Sequence, residues 1–109
     1  MISALLEWLY QDFLTKNNIE FETQKSFKWL RYKKPLRLDF YLPKHNVVIE
    51  CQGIQHFEPV KYFGGEIAFN EQIKRDITKK NLCEEHNLKV IYISPKDKNN
   101  IKNILYEQI

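Results

Sequence analysis

Glycine and proline are scarce in this 109-residue chain, at 3 and 4 residues. With 43% hydrophobic and 14% aromatic residues, that scarcity excludes collagen-like, low-complexity and disordered classes. Long apolar stretches are absent. The longest strictly apolar run is four residues, Val90 to Ile93, far short of the ~20 needed to span a bilayer. A membrane protein is therefore not expected. Cysteine is limited to Cys51 and Cys83, far apart and without a C-x-x-C motif, which reads as two ordinary thiols rather than a disulfide framework. No basic segment precedes the N-terminal apolar region, and Glu7 and Asp12 interrupt it. Both features argue against a signal peptide, so a cytoplasmic protein is expected. The length suits one domain able to bury about two thirds of its unfolded surface.

The net charge is only +3, but it is unevenly spread. Residues 25–44 carry Lys25, Lys28, Arg31, Lys33, Lys34, Arg37 and Lys44 against a single acid, Asp39. Trp29, Tyr32 and Tyr41 interleave with them. Such a segment can neutralise phosphates and offer aromatic faces to bases. The plainer reading is a solvated loop and edge strand.

Periodicity gives the element order. Ser3 caps a helix over about residues 4–17, with Ile2, Leu5, Leu6, Leu9 and Phe13 on one face. Residues 21–28 read as a strand and 32–35 as a basic loop. Residues 36–42 alternate with period two, 43–46 form a turn, and 47–52 form the next strand. A long loop follows over 54–65, then the main helix to about 85, a strand over 88–94 and a short helix over 100–108. The order α-β-β-β-α-β-α predicts one α/β domain with a mixed β-sheet flanked by helices.

If the turn centres on Lys44-His45, residue 42 pairs with 47, 40 with 49 and 38 with 51. Leu38, Phe40, Leu42, Val47, Ile49 and Cys51 then share an apolar face, while Arg37, Asp39, Tyr41, Val48, Glu50 and Gln52 take the other. Asp39 falls opposite Glu50, with Cβ atoms about 4.5–5.5 Å apart. Two facing carboxylates repel unless a cation lies between them, and their oxygens suit a hard divalent ion such as Mg²⁺ or Mn²⁺. The alternative is an exposed polar face neutralised by Arg37 and nearby lysines. The loop after Glu50 carries His56, placed to act on a water or as a ligand. On the main helix, at 100° per residue, Asp76 and Lys80 fall within about 20° of Phe69, inside the stripe expected to face the sheet. Either they form an i,i+4 pair at its edge or the helix aims charge into a polar site. Cys51, His56, Cys83 and His86 could also supply four zinc ligands, but the register turns Cys51 away from Glu50.

The run Leu38-Asp39-Phe40, continuing through Ile49-Glu50-Cys51-Gln52-Gly53-Ile54-Gln55-His56-Phe57, resembles the core of the PD-(D/E)XK nuclease superfamily. It is most similar to the branch of very-short-patch-repair and E-D-x-H-D phage homing endonucleases. The resemblance covers about residues 3–94 and implies a restriction-endonuclease-like core. It also implies a Mg²⁺- or Mn²⁺-dependent endodeoxyribonuclease, a hydrolase of phosphodiester bonds. By position, Asp39 and Glu50 would bind the metal, and Gln52 would stand where the superfamily has lysine. His56 would activate or orient water, Asp76 would match the helical aspartate, and Glu7 the first-helix glutamate. Lys28, Arg31, Lys33, Lys34 and Arg37 would meet DNA, while Lys79 and Lys80 would approach the scissile phosphate. Leu38 replaces the proline of the motif. A chain this short would act as a nicking enzyme, as a homodimer, or as a catalytic module with a separate DNA reader. Abundant Lys, Asn and Ile with two Ala fit an AT-rich, phage-like genome. The competing reading is a non-catalytic nucleic-acid-binding module on the same fold.

Overall fold

The structure is a computed structural model, described here for residues 4–51, 65–94 and 101–108. It contains α1 (Ala4–Lys16), β1 (Glu22–Lys25), β2 (Arg31–Tyr32), β3 (Lys34–Pro35), β4 (Leu38–Leu42), β5 (Val47–Cys51), α2 (Gly65–Glu85), β6 (Lys89–Ile93) and α3 (Ile101–Gln108). β1, β4, β5 and β6 form one sheet in that order. β4 runs antiparallel to β1 and β5, and β6 runs parallel to β5 after the α2 crossover. The mixed α/β architecture follows the expected order. One addition is the small β2–β3 hairpin around Lys33, whose φ is 61°.

Side-chain alternation divides the core into two layers across this sheet. Phe40, Leu42, Val47, Ile49, Cys51, Ile91 and Ile93 pack with Leu6, Tyr10 and Leu14 of α1. The buried stripe of α1 thus runs at i, i+4, i+8, further round than the face predicted around Leu9 and Phe13, which are half-buried. Ile2 and Leu5, also predicted on that face, lie outside the described side chains. Val48, Leu30, Leu36, Leu38, Cys83 and Leu88 form the second cluster, supported by Phe27, Trp29, Tyr41 and Leu82. With both faces covered, all five residues of β5 are buried, Glu50 included. Each fully buried Leu, Ile or Phe contributes about 1.5–3 kcal/mol.

Two asparagines end the long helices in the same way. Asn18 has φ 55° and Asn87 has φ 62°. In each case the following N–H bonds back five residues, Ile19 to the Leu14 carbonyl at 2.9 Å and Leu88 to the Cys83 carbonyl at 2.9 Å. The asparagine N–H bonds Thr15 and Glu84 respectively. This is the Schellman arrangement, with Asn adopting the left-handed conformation that Gly usually takes. Leu88 closes it by packing in the same cluster as Cys83, which fixes how the chain leaves α2 and enters β6.

Candidate active site

The β4–β5 hairpin has the predicted register. Leu42 pairs with Val47, Tyr41 with Val48, and Phe40 with Ile49. Beyond Phe40 the backbone ladder gives way to side chains. The Asp39 N–H donates to Glu50 Oε2 at 2.7 Å, and the Cys51 N–H donates to Asp39 Oδ2 at 2.8 Å. Two carboxylates take the places of ladder carbonyls, each accepting an N–H from the opposite strand. This changes the fate of Leu38, which was expected to pair with Cys51 on the α1 side. It pairs instead with Lys25 of β1 and packs in the α2-side cluster.

Asp39 and Glu50 are buried, at 8% and 7% exposure. A buried carboxylate needs compensation, and it comes from three directions. Beyond the two N–H groups, Gln24 Nε2 lies 3.4 Å from Asp39 Oδ1. Gln24 has φ 52°, a left-handed conformation that costs energy in a non-glycine residue. The third contribution is cationic. Lys79 Nζ of α2 lies 2.5 Å from Glu50 Oε1 and also donates to the Arg37 carbonyl at 2.8 Å. Burial still holds the Glu50 carboxyl above its ordinary range; Lys79 pulls it down while Asp39 adds to the rise.

Glu7 of α1 is half-buried, and burial together with the field of Asp39 raises its pKa as well. Three acids thus act on one locality, and all three push up the Cys51 thiol, whose main cause of elevation is its own burial. Tyr92, the β6 neighbour of Glu50, is pushed up to about 12 by burial, then by Asp76 and Glu50. Asp76, half-buried on α2, thus lies near Tyr92. Lys80 is instead exposed and lines a separate cleft with Glu84, Asn87 and Leu88. The inward stripe of α2 runs through Gln72, Asp76, Lys79 and Cys83, rotated by roughly 60° from the predicted one at 100° per residue. Lys79 thereby pairs with Glu50 instead of standing free. Gln52 and His56 lie outside the described residues.

A groove of about 470 Å³ is lined in part by Lys79, the ion-pair partner of Glu50. The β2–β3 hairpin forms one wall with Lys33, Lys34 and Arg37; α2 forms the other with Glu71, Arg75 and Lys79. Lys28 and Arg31, also predicted to meet nucleic acid, are exposed nearby in sequence. Among the described residues, Glu71 is the only acid lining this groove, and its Oε2 accepts from the Tyr32 hydroxyl at 3.2 Å and from Lys33 Nζ at 3.2 Å. These two donors hold its carboxyl below the usual range.

The zinc arrangement is not realised. Cys51 packs in the α1-side cluster and Cys83 in the α2-side cluster, while the His86 ring stacks on Trp29. Burial pushes the Cys83 thiol up to about 11, so it stays protonated at neutral pH. Among the described residues, no three His, Cys, Asp or Glu side chains converge closely enough to form a metal cage.

Sequence reading missed Gln24, Arg75 and the ion pair of Lys79. The i,i+4 spacing of Glu71, Arg75 and Lys79 was the available signal for the groove wall; Gln24 carries none.

Among the described residues, no helix is long and apolar enough to cross a membrane. The chain is similar to the uncharacterised protein 094L of Frog virus 3 (isolate Goorha), with 33% identity over 81 residues, covering 65% of this chain and 52% of that protein. It thus spans about half the length of the curated relative it matches. No family model matches the chain, and no solved structure matches it.

Proposed function

We propose that this chain is a metal-dependent DNA endonuclease on a restriction-endonuclease-like core, a member of the PD-(D/E)XK superfamily. The observation that carries the reading is the buried Asp39–Glu50 pair, held by cross-strand N–H bonds and joined through Lys79 to a basic groove. Asp39, Glu50 and Lys79 together leave one excess negative charge in a buried setting. That donor set fits a hard divalent cation that keeps most of its waters, such as Mg²⁺ or Mn²⁺. Asp39 and Glu50 would hold it. When bound, such an ion polarises a phosphate oxygen and lowers the pKa of a coordinated water.

The remaining work falls to side chains. The Asp39 and Cys51 N–H groups fix the two carboxylates, so little reorganisation is needed. Lys79 sets a positive charge beside Glu50, as a lysine at position 52 would have done, and can balance charge on a phosphate. Arg37, Lys33, Lys34 and Arg75 guide the DNA backbone along the groove. His56 is proposed as the base, because Gln52 cannot exchange a proton near neutral pH. Activity is then expected to fall as pH drops through the histidine range. A profile flat from about pH 5.5 to 8, with chemistry rate-limiting, would remove His56 from that role.

A second reading, a non-catalytic nucleic-acid-binding module, has its own support. Glu50 is already engaged by an N–H and an ammonium, and Asp39 by an N–H and an amide. Calorimetric titration with Mn²⁺ separates the two. The endonuclease reading expects binding that Asp39→Asn abolishes; the module reading expects none. Both readings expect salt-sensitive DNA binding. If five or six of the groove and loop cations meet phosphates, the logarithmic salt slope is about −5. A slope near zero would make these residues ordinary solvated surface.

A further inference from the structure

At the far end of α2 from the groove, three aromatic rings form a stack. Phe27 and Trp29 lie 4.8 Å apart between centroids at 15°, and Trp29 and His86 lie 3.8 Å apart at 8°. His86 is exposed, just past the C-terminus of α2, and its ring is fixed by the Leu82 carbonyl, 2.9 Å from Nδ1. Buried rings would serve the core alone; this stack ends on a ring that reaches solvent. The segment carrying Phe27, Trp29, Tyr32 and Lys33 lies against α2. Its aromatic end meets His86, its basic end meets Glu71, and Lys79 pairs with Glu50 between them. From Glu71 to the end of the helix is about 21 Å at 1.5 Å per residue, the length of about six stacked nucleotides at 3.4 Å each.

We propose that this strip binds an unpaired polynucleotide strand, with phosphates on Lys33, Lys34 and Arg75 and a base stacked on His86 at the end of the Phe27–Trp29–His86 array. A basic track joined to a flat ring is the arrangement that recognises single strands, because every base has a π-face to offer. A duplex keeps those faces inside its own stack. Glu71 holds a phosphate's place in the free protein, since its Oε2 takes the Tyr32 hydroxyl and the Lys33 ammonium together. The strand displaces it and inherits both donors. The proposal deepens the endonuclease reading by naming the form of DNA that enters the groove, but it concerns binding alone.

The test is fluorescence anisotropy in EDTA, with a labelled 12-nucleotide single strand and the duplex of the same sequence. EDTA prevents cleavage, so an inactive enzyme does not affect the outcome. The single strand is expected to bind at least tenfold more tightly than the duplex. In a Trp8→Phe background, the single strand is also expected to quench Trp29 fluorescence. His86→Ala should weaken single-strand binding about tenfold, and His86→Phe should restore it. Glu71→Gln should tighten binding several-fold and steepen the salt slope by about one. Equal or tighter duplex binding, or a His86→Ala variant that binds the single strand as wild type does, overturns the proposal. Cleavage of duplex DNA without single-strand preference would refute this inference and leave the endonuclease reading standing.

Discussion

Asp39→Asn and Glu50→Gln are each expected to lower DNA cleavage about a thousandfold or more, with the fold retained, although Glu50→Gln also leaves the Lys79 ammonium without its carboxylate and costs stability. Losing a metal ligand removes several kcal/mol of transition-state stabilisation, and about 4 kcal/mol is a factor of a thousand. The amides are the right substitutions because of what the carboxylates hold. Asp39 accepts the Cys51 N–H and Glu50 accepts the Asp39 N–H. An amide carbonyl can keep either bond, whereas alanine strands a buried N–H at about 1–3 kcal/mol. Alanine at either position is therefore expected to lower stability as well as activity. Circular dichroism and urea melts alongside single-turnover cleavage check both halves. Near wild-type cleavage by either amide variant would remove the metal assignment.

Lys79→Met is expected to destabilise the protein by about 3 kcal/mol at neutral pH. The side chains of Lys79 and Glu50 are 14% and 9% exposed, and removing one partner of such a pair leaves a buried charge uncompensated. The loss has a defined pH dependence. The Glu50 pKa already lies above its ordinary 4.5 in the folded state, and without Lys79 it rises further. A carboxyl raised by folding favours the folded state below its unfolded pKa, and that contribution disappears as pH rises through the folded value. The deficit of Lys79→Met relative to wild type should thus be large at pH 7 and shrink as pH falls toward about 4.5. Adding Glu50→Gln should recover most of the stability, because the carboxylate that Lys79 compensated is then gone. Urea melts at several pH values decide it. A deficit independent of pH, or no rescue in the double variant, would mean that Lys79 acts through packing alone.

The hairpin was legible because its signals are local. Strict alternation over residues 36–42, Pro43 and Asn46 at the turn, and an apolar run from Val47 fix a register, and the register brings Asp39 to Glu50. Leu38 went astray because alternation assumes an unbroken ladder, and here carboxylates interrupt it one pair below Phe40. α2 was harder to read. Its inward residues include Gln72, Asp76 and Lys79, while Ile67, Ile73 and Ile77 are 81%, 38% and 54% exposed. Hydrophobic periodicity cannot phase a helix that covers a polar site, and Ile73 and Ile77, about 40° and 80° from Phe69, drew the predicted stripe toward Lys80. Lys79 is placed by tertiary packing against β5. Gln24 is placed by a left-handed backbone within an edge strand. Neither leaves a pattern in the chain.

The central claim is that the Asp39–Glu50 pair cuts DNA through a bound divalent ion. Its most direct test is conversion of supercoiled plasmid by purified protein in Mg²⁺ or Mn²⁺, beside an EDTA control and the Asp39→Asn and Glu50→Gln variants. Nicked or linear product is expected with either metal, none in EDTA, and none from either variant. Folded wild-type protein that leaves both plasmid and single-stranded DNA intact with metal present would contradict it, as would cleavage that persists in EDTA or in both variants.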